Sequence, residues 1–282
     1  MDDWRNSEVR LGSLVWAAAA VGAGCALLVA LGAPPRMSAM NGAALLIGLA
    51  GVAAMWACRR AGASARTSDI ALLIASACIP LTALIGPQAD GVARWLVIGG
   101  LTIQPALIVV PLVTVGLAQS PSLIRCLSAV VAAAGLAMQP DPACALMTLL
   151  GIAVLMRDRE SRTQGTWVTL VVAAICLGVA IVRDVALPSI PFVEDVLPDA
   201  FREGPLPALL ACAAILLMLA PAATRRPRAP HLAFIAVWVA ALAAALLGPY
   251  PTPVLGFGGS AVLGFVLSTG LLALGTGALR RG

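Results

Sequence analysis

Between two apolar runs, Leu123 to Ala137 and Ala143 to Met156, the chain reads Met138-Gln139-Pro140-Asp141-Pro142. Two prolines flank one carboxylate. Neither neighbouring helix can run through the segment, because proline lacks the backbone N–H and its ring clashes with the preceding turn. An acid in a helix break between such oily runs lies at membrane depth or at the membrane boundary. At depth it is costly and marks a functional position whose partner must be found elsewhere in the chain. At the boundary it is a turn former. Asp141 carries both readings.

Working outward, the 282 residues are 61% hydrophobic and 11% charged, with a mean hydropathy of +0.99. A soluble domain holds about 45–50% apolar residues, and absorbing this excess would take an oversized dry core. Serial membrane helices account for it, because apolar blocks alternate with charged or Pro/Gly-rich punctuation. Ten blocks can be counted, near Leu11–Gly32, Gly42–Cys58, Asp69–Gly86, Trp95–Ala118, Leu123–Ala137, Ala143–Met156, Thr166–Val185, Pro205–Ala222, Leu232–Gly248 and Val254–Leu279. The expectation is an all-α integral membrane protein of about ten transmembrane helices, residues 1–282 forming a single polytopic domain. The fifth and sixth blocks are short, which suggests that the turn between them dips into the membrane.

All 18 basic residues are arginine. They stand at block ends and do not interleave with aromatics, so they read as topology signals and not as a nucleic-acid surface. With a cytoplasmic amino terminus, 14 of the 18 fall on inner segments, leaving Arg36, Arg94, Arg183 and Arg202 outside. That asymmetry follows the positive-inside rule and predicts both termini cytoplasmic. The start, MDDWRNSEVR, is too acidic for a signal peptide, so the first block is expected to stay as an anchor. The 7 cysteines are scattered without CxxC spacing and read as small apolar packing residues, with no metal site expected.

The same topology gathers the unusual stretches on the outer face. Gly91-Val92-Ala93-Arg94-Trp95 leads towards Gln104-Pro105; Arg94 beside Trp95 reads either as a headgroup-level anchor or as a planar donor fork for phosphate. Pro191-Phe192-Val193-Glu194-Asp195-Val196-Leu197-Pro198-Asp199 is acidic and reads as a solvated loop or as a source of a general base. Gly256-Phe257-Gly258-Gly259-Ser260 follows a proline-rich loop; paired glycines admit close approach of a ligand or of a neighbouring helix.

Three of these stretches resemble, in order and spacing, the signatures of the SEDS proteins, the shape, elongation, division and sporulation family. Arg94-Trp95 with Gln104-Pro105 is similar to its ARRW…QPSE segment, Gln139-Pro140-Asp141 to its LQPD turn, and Gly256-Phe257-Gly258-Gly259-Ser260-Ala261 to its SYGGSS motif. The resemblance covers about Gly91 to the carboxyl end. It implies a multi-pass protein of the bacterial inner (plasma) membrane that binds or polymerises a lipid-linked sugar of the lipid II type. A peptidoglycan glycosyltransferase of this kind works with a class B penicillin-binding protein in cell shape or cell division. It further implies an outer-loop general base, for which Glu194 and Asp195 are the nearest matches, with Asp141 a third candidate. Arg94, Trp95, Gln104, Gln139, Gly258, Gly259 and Ser260 become substrate-binding candidates, and a divalent cation helps to hold pyrophosphate.

The chain also departs from the pattern. Ala106-Leu107 and Val110 stand where the family carries a glutamate and a lysine, Phe257 stands for its tyrosine, and the acidic outer loop is short. Loss of both members of a buried charge pair is compatible with folding. It leaves a second reading beside the enzyme, a non-catalytic membrane scaffold in envelope growth. A small-solute transporter is the third, and would show paired broken helices in its two halves.

Overall fold

The computed structural model describes residues 3–185, 187–224 and 226–278, with side chains for 11–185, 187–224 and 226–275. Arg225, Arg280 and Arg281 of the inner-face count lie outside these residues, as do the side chains of Trp4, Arg5 and Arg10. The order is α1 (Asp3–Ala30), α2 (Pro35–Arg60), α3 (Ala65–Ile85), β1 (Leu96–Ile98), β2 (Leu101–Ile103), α4 (Pro105–Gln119), α5 (Leu123–Met138), α6 (Pro142–Ala153), α7 (Gln164–Val182), α8 (Val196–Glu203), α9 (Pro205–Leu219), α10 (Ala229–Leu247) and α11 (Gly259–Ala278). Among the described residues six helices, α1, α2, α3, α7, α9 extended by a 3-10 turn to Ala222, and α10, are long and apolar enough to cross a membrane, and α4, α5, α6 and α11 are shorter apolar helices. Each of the ten apolar blocks thus holds one helix, and the chain is an all-α, multi-pass membrane protein.

Three boundaries differ from the sequence reading. The fourth block does not begin as a helix at Trp95: residues 96–103 form an antiparallel hairpin pairing Leu96 with Ile103 and Ile98 with Leu101. Gly99 and Gly100 turn the chain at φ +57° and +81°, the left-handed pair that a two-residue hairpin demands. Pro105 then supplies the first helical position of α4, where its missing N–H costs nothing. The tenth block begins as a loop, and α11 starts only at Gly259. The acidic loop contains the short α8, whose apolar residues Val196, Leu197 and Ala200 are buried.

The chain divides into two compact units. The first holds Met1–Ala57, Pro188–Arg226 and Leu242–Gly282; the second holds Cys58–Leu187 and Pro227–Ala241. In the first, α1 packs on α9 and α11, and glycines bring α2 and α11 together. A Cβ at Gly48 would fall 2.8 Å from Val266, and one at Gly270 would fall 2.3 Å from Val52. Small residues at such crossings let membrane helices touch backbone to backbone.

In the second unit α4 is apolar on every side and buried along nearly its whole length, as expected of a helix surrounded by others. It is packed by α3, α5 and α6, while α5 also packs on α3 and α7. A Cβ at Gly135 on α5 would meet the Pro80 ring on α3 at 2.7 Å. At the end of this unit where α3 and α5 start, Arg125 is not the solvated topology charge its position in an inner loop suggested. It is buried, with Nε donating to Asp69 Oδ1 at 2.5 Å and Nη1 to the Gly116 carbonyl at 2.5 Å. Ser122 Oγ donates to the other Asp69 oxygen at 2.7 Å. One guanidinium and one carboxylate therefore tie the starts of α3 and α5 to the end of α4.

Removing one member of a buried pair strands the other charge, whereas replacing both with apolar groups need not destabilise. Arg125→Leu is expected to destabilise the protein by about 3–5 kcal/mol, and the Asp69→Leu/Arg125→Leu double variant by far less. Thermal unfolding of both variants in detergent checks the difference.

Candidate functional site

At the opposite end of the second unit, α5 stops at Met138 with Gln139 as its C-cap, because Pro140 cannot continue it. After the turn, Pro142 opens α6 and Asp141 caps it, one carboxylate oxygen accepting from the Cys144 N–H at 3.0 Å. The acid sits at the positive end of the α6 dipole. Its second oxygen accepts from Gln104 Nε2 at 3.0 Å, and the residue is 1% exposed. Asp141 is therefore a buried cap with a named partner. It forms a turn, as one of its sequence readings expected, and it does so inside the protein.

The last carbonyls of α5 and of the turn after it form the negative end of that helix and lack a helical donor. Arginines supply the donors. Arg94 Nε donates to the Gln139 carbonyl at 3.4 Å, and its Nη2 donates to the Pro140 carbonyl. Arg183 Nη1 donates to the Ala137 carbonyl at 3.2 Å. Arg94 is held in turn by Asp184, Nη2 to Oδ1 at 3.0 Å, with the arginine side chain 5% and the aspartate 33% exposed. Gln139 points inward, its Nε2 donating to the Ile79 carbonyl at 2.7 Å, while its buried Oε1 has no partner. Trp95 is half-buried, its carbonyl resting against Gly86. Four of the sequence candidates, Arg94, Gln104, Gln139 and Asp141, thus lie together around one helix break, with Trp95 next to Arg94 in the chain.

The remaining candidates are in the first unit. Asn41, fully buried on α2, grips the glycine-rich segment from both sides of its amide: Nδ2 donates to the Gly256 carbonyl at 3.0 Å, and Oδ1 accepts from the Gly258 N–H at 3.1 Å. Gly258 and Gly259 are half-buried, and Ser260 opens the first turn of α11. The same segment is laced to the acidic loop, with the Thr252 N–H donating to Val193 at 2.9 Å and the Phe257 N–H to Phe192 at 2.6 Å. Gly256 is needed here because a Cβ would fall 2.8 Å from the Val193 carbonyl. Glu194 closes the acidic loop on itself, Oε2 accepting from the Ile190 N–H at 2.6 Å. Burial raises its carboxyl above the ordinary value, with the neighbouring Asp195 charge acting in the same direction and the backbone donors opposing. Asp195 stands in the left-handed region at φ +61°, precedes α8 without capping it by its side chain, and is half-exposed. Among the described residues no three His, Cys, Asp or Glu side chains are placed to hold a metal ion.

Two partners were missed from sequence. Asn41 is the one amide on α2 and directly precedes the second apolar block, and an isolated polar side chain at the edge of such a block was its signal. Asp184, just beyond α7, stands near the end of the seventh apolar block, and its sequence position names no partner.

No protein-family model matches the chain, and no curated protein matches it in sequence. Solved structures do match. Rod shape determining protein RodA of Thermus thermophilus superposes with a TM-score of 0.62 at 20% identity, over 93% of this chain and 95% of that one. The chain has a RodA-like fold. An aspartate-to-alanine variant of the same protein superposes equally well. So does a chain from a structure described as structural coordination of polymerization and crosslinking by a peptidoglycan synthase complex, with a TM-score of 0.61 at 20% identity over 94% and 96% of the two chains. Within this RodA-like fold Ala106, Leu107 and Val110 are buried apolar residues on α4, so the positions without a charge pair are filled by packing.

A carboxyl whose pKa is raised by folding favours the folded state most at pH below its unfolded value, near 4.5, and loses that contribution as pH rises through the folded value. Glu194→Gln keeps an oxygen for the Ile190 N–H and removes the titration. Thermal midpoints measured across pH should decline less above 4.5 in this variant than in the parent; an identical decline would place the titration elsewhere.

Proposed function

We propose that the chain is a SEDS-like envelope protein of the bacterial inner membrane that binds a polyprenyl-linked sugar at the outer face and polymerises it as a peptidoglycan glycosyltransferase. The observation that carries the reading is the Arg94–Gln139–Pro140 cluster with Gln104 and Asp141. Two separate sequence motifs of the family resemblance meet there side chain to backbone, within a RodA-like fold. The structural neighbour from a peptidoglycan synthase complex supports a class B penicillin-binding protein as partner.

In this reading an acceptor sugar hydroxyl attacks the anomeric carbon of the lipid-linked donor, and the polyprenyl pyrophosphate leaves. The base that takes the hydroxyl proton must be within hydrogen-bond reach and ionised. Asp195 suits that part better than Glu194, whose carboxyl is engaged by Ile190 and holds its proton more tightly. Asp141 serves structure, since both of its oxygens are taken. Gly258, Gly259 and Ser260 offer a low backbone surface for the sugar or pyrophosphate. A scaffold without catalysis is the second reading, favoured by the apolar filling at Ala106, Leu107 and Val110.

Purified protein given labelled lipid II, alone and with a class B penicillin-binding protein, should yield glycan chains on a gel. Asp195→Asn should lower the rate by about 10²–10⁴-fold, the usual contribution of a general base, while Glu194→Gln should lower it far less. Binding of lipid II without product under both conditions would support the scaffold, and absence of binding would refute the reading.

A further inference from the structure

The β1–β2 hairpin takes no part in the proposed chemistry, yet its surface is unusual. Val97, Ile98 and Leu101 are 58%, 60% and 53% exposed. The pairing Val97 with Thr102 and Ile98 with Leu101 puts apolar side chains on both faces of the ribbon next to the Gly99-Gly100 turn. No charged residue occurs between Arg94 and Arg125. A ribbon of two strands in water, apolar on both faces and with unguarded edges, is marginal in stability and prone to aggregate. Its surroundings indicate what covers it. The base of the hairpin rests on α3, where a Cβ at Gly86 would fall 2.6 Å from the Trp95 carbonyl. The residues just before Gly86, Leu84 and Ile85, are 70% and 67% exposed on a helix long and apolar enough to span the membrane. At about 3.3 Å per residue, the tip lies roughly 10 Å from this lipid-facing helix end.

We propose that the hairpin tip, Val97 to Leu101, seats in the interfacial layer of the lipid bilayer as a shallow anchor. Its depth is bounded by its backbone. The outer edges of the ribbon carry N–H and C=O groups without strand partners, which hydrocarbon cannot satisfy. The apolar side chains favour entry to the headgroup and acyl boundary, about 5–10 Å deep, and the open edges forbid more. Trp95 at the base is the residue type that settles at that level. The consequence is positional. Arg94 directly precedes the hairpin's base and Gln104 directly succeeds β2, so a seated tip fixes the height of the Arg94–Gln104–Asp141 cluster relative to the lipid headgroups.

The test needs no activity and is independent of the proposed function. Benzoylphenylalanine is incorporated in place of Ile98, of the lipid-facing Val171 on α7, or of Glu160 in an exposed loop. The full-length protein is placed in phosphatidylethanolamine/phosphatidylglycerol vesicles, irradiated, and analysed by intact mass. Phospholipid adduct at position 98 should come within about twofold of that at 171 and exceed that at 160 by about tenfold, as expected for a side chain in acyl surroundings. Substitution at Val97 instead of Ile98 should give the same result. Adduct at 98 no higher than at 160 overturns the proposal, as does a crosslinked protein dimer at 98, which would make the tip a contact between copies.

Discussion

A helix that stops where water is scarce leaves carbonyl groups that something must satisfy, and in this protein the end of α5 is served by arginine. Gln139, its C-cap, and Pro140, just past it, carry buried carbonyls whose donor is Arg94, while Arg183 serves the more exposed Ala137 carbonyl. In a medium of low dielectric an unpaired carbonyl costs far more than in water, and a charged donor repays correspondingly more. The cation is itself balanced by Asp184. This single requirement sets the local architecture of the second unit: the β hairpin is tethered through Arg94, α6 can start with Asp141 as its cap, and Gln104 is drawn to the other carboxylate oxygen.

The first unit meets the same constraint with a neutral device. The segment before α11 is irregular, and its Gly256 carbonyl and Gly258 N–H are satisfied by the two ends of one amide, Asn41. An amide suits a site that needs one donor and one acceptor, as a guanidinium suits a site that needs only donors. Glu194 repeats the theme on a smaller scale, engaging its carboxylate with the backbone of its own loop. Several polar residues that look chemical in the sequence therefore hold backbone in place, whereas the side chain of Asp195 makes no capping bond to α8.

Much of this was legible in the sequence because the bilayer imposes length and polarity on every crossing. Ten apolar blocks gave ten helices, and the prolines around Asp141 gave the break between α5 and α6. The hairpin escaped detection because Trp95 to Ala118 is predominantly apolar, and periodicity does not separate short apolar strands from a helix in such a run. Gly99-Gly100 was the available signal for a turn. Arg125 was misjudged because loop position predicts charge but not burial, and its partner Asp69 lies 56 residues away. The clamp by Asn41 spans 215 residues and could be read only from the folded chain. A fold shared with RodA at 20% identity fits this division, since packing and backbone satisfaction persist under broad exchange of side chains.

The claim that Arg94 holds the helix break is tested most directly by amide hydrogen exchange in lipid nanodiscs, comparing Arg94→Ala with the parent. Loss of a charged donor to buried carbonyls is worth about 1.5–3 kcal/mol, so exchange across residues 139–145 should accelerate by about tenfold or more. Segments around Asp69 and Arg125, at the far end of the same unit, should keep their protection. Unchanged exchange across residues 139–145 would contradict the claim, and the break would then be held by Asp141 and the prolines alone.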